Sequence, residues 1–403
     1  MFLVLSGMAG ANMFILSIFT SLFNFTFIAV PMFILMGEIL FHSGLGNKAL
    51  NALEQLLGKV PGRLSIVATV AGVVFGAVSG SAMANTALLG STLAPEMKKR
   101  GYDKKMIYGP IMGVSGLAVL IPPSGLAVLY ASIANISVGE LLIAGVVPGL
   151  VMGTLYLVQI VIRVYLNPSW APAYEVDKVS LEKKLASILI NIFPLSILFF
   201  AVVGTIIMGV ATPSESAAMG AFGAVILSFL HQKLNFNLLK TALFNTFTSS
   251  VMIFSIICGT VGFGQILAYA GIISKISTFA TSLDVHPIII LFLMQVVVFI
   301  LGCFMSSIPI MMITIPIFFP VILQLGFDPI WFAVINIVVI ETGSITPPFG
   351  MILFLMKGIA YKDDVTMTDL YKGVVPFIAC NIATVILIIL LPGIATWLPS
   401  TIQ

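Results

Sequence analysis

Residues 81–125 read SAMANTALLGSTLAPEMKKRGYDKKMIYGPIMGVSGLAVLIPPSG. Their pattern returns later in the chain as SSIPIMMITIPIFFPVILQLGFDPIWFAVINIVVIETGSITPPFG, residues 306–350. A shift of 225 residues aligns the two stretches without a gap, and eight of the 45 positions are identical. Most of these are residue types that hydrophobic composition alone would not align: Ser81 with Ser306, Pro95 with Pro320, Gly101 with Gly326, Asp103 with Asp328, Pro122 with Pro347, Pro123 with Pro348 and Gly125 with Gly350. Upstream, residues 37–45 match residues 264–272 at a shift of 227. The chain therefore contains an internal repeat.

The composition places the repeat in a membrane. Of the 403 residues, 60% are hydrophobic and 8% are charged, and the mean hydropathy is +1.17. Soluble domains carry about 25% charged residues, so a water-soluble globular fold is excluded. The net charge of +3 indicates no nucleic-acid partner. The three cysteines lie in apolar runs without metal-ligand spacing, which indicates neither a disulfide framework nor a zinc site.

Apolar stretches of about 20 residues, each long enough to cross a bilayer, recur along the chain and predict a polytopic all-α protein. The predicted spans lie near 2–22, 25–41, 64–79, 107–121, 141–166, 185–210, 214–230, 241–257, 286–303, 330–345 and 373–398. Residues 46–58 have helical apolar spacing and predict an interfacial helix. The polar segment 167–184 predicts a linker between two halves.

The two halves differ in charge where they should match. Residues 96–105, EMKKRGYDKK, contain five Lys or Arg, and the positive-inside rule places them on the cytoplasmic side. The equivalent residues 321–330, VILQLGFDPI, contain none. We therefore expect the repeats to have opposite orientations, as is typical of secondary transporters that bind substrate and ions near the midplane.

Each half has two interruptions of its apolar sequence. Residues 76–96 and 302–320 carry Gly, Ser, Pro or Asn near their middle, which predicts re-entrant hairpins. Residues 116–129 and 341–354 contain Pro-Pro pairs, which remove backbone donors and predict broken helices. Freed carbonyls beside hydroxyls suit a small cation.

The hairpin tips and helix breaks supply the candidate site residues. The cation ligands we predict are Ser79, Ser81 and Asn85 with the carbonyls around Val119 to Pro122 in the first half, and Ser306, Ser307, Thr342, Gly343, Ser344 and Thr346 in the second. No Lys or Arg lies in the hairpins or breaks, so helix N-termini, hydroxyls and amides would hold an anionic substrate. The predicted substrate ligands are Gly80, Asn85, Thr86, Pro123, Ser124 and Pro348. For any one residue the alternative is close helix packing or a simple kink.

Carboxylates in or beside apolar sequence are functional candidates. Glu140 and Glu215 follow Ser137 and Thr212, a pattern that favours roles in the first turn of a helix. Glu341 adjoins the second break. It is therefore the candidate for proton coupling or for structuring that site.

The motifs resemble those of the large membrane subunit of tripartite ATP-independent periplasmic (TRAP) transporters. The resemblance covers nearly the whole chain and depends on the ordered set AVPMFILMGEIL (29–40), GSAMANTALLGS (80–91), APEMKKRGYDKK (94–105), IPPS (121–124), TPSESAAMGAFGA (212–224) and ITPPFG (345–350). The first hairpin is also similar to the Ser-Asn-Thr motif of divalent-anion/sodium symporters, here Ala84-Asn85-Thr86. The family's large subunits usually begin with further apolar sequence, and by this comparison we expect the present sequence to start part-way through its first helix.

The resemblance implies an elevator-type fold similar to the ion transporter superfamily, in which a transport domain with both hairpins moves against a scaffold. It implies that the cations are sodium, that no other metal or cofactor is needed, and that an organic acid is imported across a bacterial inner membrane. The implied partners are a periplasmic substrate-binding protein, a small four-helix membrane subunit on a separate chain, and membrane lipids. The acid could be a dicarboxylate, sialic acid, or another carboxylate or sulfonate.

The predicted domains follow from the repeat and the resemblance. They are scaffold helices with the interfacial helix (1–63), the first hairpin and broken helix (64–135), central scaffold helices with the linker (136–257), the second hairpin and broken helix (258–361), and a C-terminal scaffold helix (362–403). The alternative function is a sodium/anion symporter of related fold that needs no binding protein.

Two further classes of protein fit the sequence less well. An intramembrane enzyme is disfavoured because the three histidines lie at span ends or in loops and HExxH is absent. A channel is disfavoured because closed hairpins in an inverted repeat do not make a continuous pore. We therefore expect a transporter that is not an enzyme.

Overall fold

The computed structural model describes residues 12, 14–20, 22–23, 25–56, 60–174, 180–360 and 364–402, with the side chains of 77–79, 181 and 402 left aside. This part of the chain is helical and contains no strand. Seven of its helical segments are long and apolar enough to cross a membrane, and a pair bent by 47° supplies an eighth. The protein is therefore a multi-pass membrane protein. Most of the predicted first span, 2–22, lies outside the described residues.

Twenty α-helices follow one another along the described chain. They are α1 Ala29–His42, α2 Leu45–Leu56, α3 Arg63–Ser79, α4 Ala82–Lys99, α5 Lys104–Gly113, α6 Leu117–Leu120, α7 Gly125–Ala134, α8 Val138–Ala144, α9 Val146–Leu166, α10 Leu181–Asn191, α11 Phe193–Ile207, α12 Pro213–Leu230, α13 Phe236–Tyr269, α14 Ile272–Ser282, α15 Pro287–Gly302, α16 Ser307–Gln324, α17 Pro329–Ser344, α18 Met351–Ile359, α19 Met367–Leu390 and α20 Gly393–Ile402.

The repeat has the same local structure in both halves. Gly101 and Gly326 end their helices with φ of +76° and +77°, a left-handed conformation that favours glycine. Asp103 and Asp328 then cap α5 and α17, and their carboxylates accept backbone N–H bonds of 2.8 Å. The equivalent Gly and Asp positions therefore build similar turns, although Asp103 accepts from the N–H two residues later and Asp328 from the N–H three residues later, and the predicted repeat is confirmed.

The upstream match also has a structural basis. Gly44 follows α1 with φ of +68°, and Gly271 follows α13 with φ of +66°. A short helix follows each glycine, and the first of these, α2, is the predicted interfacial helix. The slip of the shift from 225 to 227 therefore falls between this turn and the hairpin.

Four compound elements surround the centre of the protein. Hairpin 1 is α3 and α4, joined by Gly80 and Ser81, and hairpin 2 is α15 and α16, joined by residues 303–306. Broken helix 1 runs through α5, α6 and α7, and broken helix 2 consists of α17 and α18. Each break contains its Pro-Pro pair, and both prolyl pairs have a cis bond. The hairpins and breaks thus lie at the predicted places, while their re-entrant position in a bilayer stays a prediction.

Helix α19 reveals that the two repeats are inverted. Lys104, at the start of broken helix 1, forms a 3.1 Å ion pair with Asp369 at the start of α19. Trp331, at the start of broken helix 2, donates its indole N–H to the carbonyl of Ile388 near the end of α19, at 2.9 Å. Because a helix rises 1.5 Å per residue, these two points are about 28 Å apart. Equivalent helix starts therefore lie at opposite ends of α19, as predicted.

Residues related by the repeat meet each other at the pseudo-two-fold axis. The hydroxyl of Tyr156 in α9 donates to the amide oxygen of Asn381 in α19, and the two residues are 225 positions apart. A methyl group added to Gly116 would lie 3.3 Å from Cβ of Glu341, which is again 225 positions away. A residue can contact its own equivalent only beside the axis. The axis therefore passes through the broken helices and between α9 and α19.

Two predicted spans differ from the structure. The span 241–257 is the middle of α13, a helix of 34 residues that crosses the predicted domain boundary at 257. The span 373–398, predicted as one C-terminal helix, is two helices, because α19 ends at Leu390 and α20 begins at Gly393. Pro392 lies in this break, where it cannot donate a helical hydrogen bond.

The polar linker is packed rather than free where it is described, at 167–174, whereas 175–179 lie outside the described residues. The Tyr174 hydroxyl donates to the Glu54 carboxylate at 3.0 Å, and the Arg100 guanidinium lies 4.1 Å from the centre of the Tyr174 ring. Burial beside Glu54 raises the pKa of Tyr174 above its usual value. The linker therefore ties interfacial helix α2 to the base of hairpin 1.

The inversion predicts labelling from opposite sides of the membrane. Lys99 and Gln324 are exposed, end equivalent helices, and are 225 residues apart. In a background without the three native cysteines, Lys99→Cys should react with an impermeant maleimide from the cytoplasmic side and Gln324→Cys from the other side. Spheroplasts and inverted vesicles provide the two access conditions. Labelling of both cysteines from one side would contradict this orientation.

Candidate functional site

In the first half, the tip of hairpin 1 lies against the Pro-Pro break. Gly80 ends α3 in the left-handed region, with φ of +58°. A methyl group there would lie 3.4 Å from the nitrogen of Gly125 and 3.6 Å from the carbonyl oxygen of Pro123. The N-terminus of α7 starts at this point, so its partial positive charge faces the tip. The structure therefore brings predicted substrate ligands from two elements together.

The first turns of α4 hold the polar side chains of this tip. Ser81 caps α4 by accepting from the backbone N–H of Ala84 at 3.3 Å. Asn85 is buried and donates its amide N–H to the carbonyl of Gly72 at 2.9 Å, which leaves its amide oxygen without a partner in the described part of the chain. Thr86 is buried and bonds to the carbonyl of its own helix. The unpartnered oxygen of Asn85 is thus the strongest neutral acceptor at this tip.

The break itself is closed off from solvent. Val119, Pro122 and Pro123 are buried. Ser124 is also fully buried, and its hydroxyl accepts from the N–H of Ala127 at 3.1 Å to cap α7. The capping role leaves Ser124 fewer free lone pairs for a ligand than the sequence suggests.

In the second half, hairpin 2 crosses broken helix 2 at two glycines. A methyl group on Gly343 would lie 2.5 Å from Cα of Gly302, so only glycines allow this approach. Directly beyond the crossing, the Ser307 hydroxyl donates to Oε1 of Glu341 at 2.7 Å. Ser306 is the N-cap residue of α16, but its side chain makes no capping bond. The second tip is therefore attached to its break through Glu341.

The hydroxyls of the second break bond within their own helix. Thr342, Ser344 and Thr346 are buried and donate to carbonyls three or four residues earlier, at 2.6 to 2.7 Å. Their oxygens keep lone pairs for a cation. The carbonyls of Ser344 and Thr346 also converge on Gly350, where a methyl group would lie 2.5 and 2.8 Å from them. The break is therefore rich in hard oxygen atoms.

One predicted residue, Pro348, is not brought to the tips by a side-chain contact. Pro348 is exposed, and its carbonyl accepts from the Tyr371 hydroxyl at 3.0 Å. The side chain of Ser79 lies outside the described residues. Sequence reasoning missed Gly72, Gly116 and Gly302, which contact Asn85, Glu341 and Gly343 respectively. The 225-residue alignment pairs Gly116 with Glu341 and was the available signal for that contact.

The donor set restricts what the site can hold. Among the described residues, no group of three or more His, Cys, Asp or Glu side chains could hold a metal. The tips and breaks offer hydroxyl, amide and carbonyl oxygens with one carboxylate, which suit a hard cation rather than a soft transition metal. The capping interpretation of Glu215 is supported, because Thr212 and Glu215 form a reciprocal capping box.

Comparison with known proteins identifies the family. The family model described as "Tripartite ATP-independent periplasmic transporter, DctM component" matches residues 1–394. The chain belongs to this DctM family of transporter permeases. It is 31% identical over 378 residues to the C4-dicarboxylate TRAP transporter large permease protein DctM of Pseudomonas aeruginosa, covering 94% of this chain and 87% of that one.

Two further relatives show the range of this family. The sialic acid TRAP transporter large permease protein SiaM of Vibrio cholerae is 27% identical, with 99% of this chain and 92% of that one covered. The isethionate TRAP transporter permease protein DctMQ of Oleidesulfovibrio alaskensis is 30% identical over 93% of this chain. The match spans only 58% of DctMQ, which is a longer protein.

The fold itself is known from a solved structure. The crystal structure of the Alcanivorax borkumensis YdaH transporter, described as having an unusual topology, matches with a TM-score of 0.65. The match covers 99% of this chain and 90% of YdaH. Since only 15% of the residues are identical, the likeness concerns the fold alone.

Proposed function

We propose that the chain is the large transmembrane subunit of a sodium-coupled TRAP transporter that imports an organic acid. The observation that carries this proposal is the paired arrangement at the axis, where each hairpin tip lies against the broken helix of its own half. Inverted repeats with interrupted helices at their interface are the architecture in which secondary transporters bind ions and substrate.

Sodium coupling is supported by the chemistry of the oxygen atoms. The amide oxygen of Asn85, the hydroxyls of the second break and the carbonyls around Gly350 are neutral, hard ligands. Such ligands replace the hydration shell of a small monovalent cation at low cost. The proposal therefore assigns one cation to each half.

An organic acid is supported by what surrounds the first tip. The N-terminus of α7 attracts negative charge. Asn85 and Thr86 supply polar groups nearby, and bound cations would offset the charge of a carboxylate. Relatives are named as transporters of C4-dicarboxylates, sialic acid, isethionate and ectoine. Each of these solutes is small and polar and bears an acidic group. We infer a substrate of this class.

The helix packing supports an elevator movement. Helices α12 and α13 each pack on α1, and α10 packs on α2, whereas α19 packs on broken helix 1 and α9 packs on α19. We infer that α9 and α19 move with the hairpins and broken helices. This moving body is larger than the predicted transport segments, which left α9 and α19 in the scaffold.

The proposal includes partners and a location. Scaffold helices α11 to α13 expose large apolar side chains, among them Phe200, Phe222, Phe244 and Phe247. Such faces suit lipid or a second membrane subunit. We propose that a separate four-helix subunit packs on this scaffold in a bacterial inner membrane, and that a periplasmic binding protein delivers the substrate.

Uptake into proteoliposomes tests the whole proposal. The chain and a co-expressed small subunit are reconstituted, and labelled organic acids are offered under an inward sodium gradient with and without candidate binding proteins. We expect uptake to require both sodium and a binding protein. Sodium-driven uptake without a binding protein would favour the plain symporter, and uptake indifferent to sodium would contradict the coupling.

A further inference from the structure

Glu341 is a buried carboxylate with one oxygen that nothing in the described chain satisfies. Only 2% of the surface of Glu341 is exposed. Oε1 accepts from the Ser307 hydroxyl at 2.7 Å, whereas Oε2 has no hydrogen-bond partner among the described residues. Buried polar atoms in folded proteins are almost always paired, so Oε2 requires a partner that the described residues do not supply.

An ionised Glu341 needs a partner that carries positive charge. The ion pairs of the described residues involve other carboxylates: Glu38 with His42, Glu54 with Arg63, Glu96 with Arg100 and Asp369 with Lys104. Removing an uncompensated charge from water is costly, and the single hydroxyl of Ser307 does not compensate it. A carboxyl group protonated on Oε1 could donate its O–H to the Ser307 hydroxyl, but Oε2 would still lack a partner. A bound cation satisfies both the charge and the free oxygen.

The position of Glu341 on the axis makes one carboxylate available to both halves. Its equivalent in the first half is Gly116, which has no side chain and lies directly against it, with 3.3 Å between Cβ of Glu341 and a methyl group added to Gly116. Gly116 closes the 3₁₀ turn of broken helix 1, Val114–Gly116. The carboxylate therefore lies between this turn and the tip of hairpin 2. Because the equivalent residue in the first half is a glycine, there is room beside the carboxylate and no second carboxylate at the equivalent position.

We propose that Oε2 of Glu341 is the charged ligand of a monovalent cation bound at the axis, between the tip of hairpin 2 and the 3₁₀ turn of broken helix 1. This inference rests on the proposed sodium coupling and adds a carboxylate to a ligand set that otherwise contains neutral oxygens. One carboxylate matches one positive charge, whereas calcium sites usually collect several carboxylates. The cation also joins the two halves, because its ligand is bonded to Ser307 and packs against Gly116.

Direct cation binding tests the proposal without requiring transport. The purified chain, Glu341→Gln and the matched control Glu182→Gln, which changes an exposed carboxylate of α10, are titrated with sodium chloride against choline chloride. The readouts are the thermal midpoint and the binding of ²²Na⁺. We expect Glu341→Gln to weaken the apparent sodium affinity at least tenfold, with the control within twofold of the wild type.

A second variant guards against misfolding of the first. Glu341→Asp keeps the charge on a shorter side chain, so we expect it to bind sodium more weakly than the wild type but more tightly than Glu341→Gln. Wild-type affinity in Glu341→Gln, or equal loss in the Asp and Gln variants, would overturn the inference and leave sodium coupling intact. Absence of any sodium effect in the wild-type chain would overturn both the inference and the coupling.

Discussion

Gly343→Ala is expected to lower sodium-dependent uptake at least tenfold. The added methyl group would lie 2.5 Å from Cα and 2.8 Å from the carbonyl carbon of Gly302, and neither backbone atom can turn aside. Helices α15 and α17 would have to separate, at a cost of about 1–3 kcal/mol or more. The separation would move Ser307, at the tip of hairpin 2, away from Glu341. Because about 1.4 kcal/mol corresponds to a factor of ten, a cost in this range predicts the tenfold loss of uptake.

A glycine in open space provides the control for this variant. Gly358 lies in helix α18, and a methyl group there would meet no atom within 4 Å. Gly358→Ala should keep full uptake, since alanine is a better helix former than glycine. Initial rates in proteoliposomes, normalised to the amount of inserted protein, compare the two. Similar rates in both variants would mean that the Gly302–Gly343 crossing does not position the site.

Asn85→Ala is the second variant with a large expected effect. The substitution removes the hydrogen bond to the carbonyl of Gly72 and the unpartnered amide oxygen at the tip of hairpin 1. Loss of a polar group that contacts a charged ligand costs about 1.5–3 kcal/mol. We therefore expect uptake at low substrate concentration to fall between about tenfold and a hundredfold, with the half-saturating concentration of sodium or substrate raised.

The matched control is Asn191→Ala. Asn191 also donates its amide to a backbone carbonyl, that of Ser187 at 3.0 Å, but it lies in α10, away from the hairpins. Sodium and substrate titrations of uptake separate weaker binding from slower turnover. An unchanged half-saturation in Asn85→Ala, with loss only of the maximal rate and of protein stability, would assign Asn85 a packing role.

Much of the fold follows from local features that a sequence displays directly. Glycine at 101 and 326 and aspartate at 103 and 328 specify similar turns in both halves, because these residue types have strong backbone and capping preferences. The Pro-Pro pairs break their helices for an equally local reason. Helix α13 extends beyond the predicted span 241–257 on both sides, although its ends have local signals: Asn235 caps its start, and Gly271, with φ of +66°, follows its end.

Some features of the candidate site can be recognised from neighbouring residues in the sequence, and others depend on contacts between distant segments. The tip residues Ser81 and Asn85 are recognisable from their small, polar surroundings in an apolar sequence. The bonding of their side chains is not, since Asn85 uses its amide to hold the carbonyl of Gly72 in the opposite arm of the hairpin. The capping of α7 by Ser124 was also missed, although a serine that accepts from the N–H three residues later is a local signal.

Composition and motif spacing alone establish a membrane protein built from two related halves. They also show that the halves differ in charge at equivalent loops, and they locate the interruptions of apolar sequence in each half. Composition, proline and glycine act through short-range chemistry, so their effects can be read from neighbouring letters. Which hairpin tip contacts which broken helix is visible only in the folded protein. The contact of Gly116 with Glu341 and the bond from Ser307 to Glu341 join segments far apart in the chain, because the inverted halves must bury their broken helices against each other.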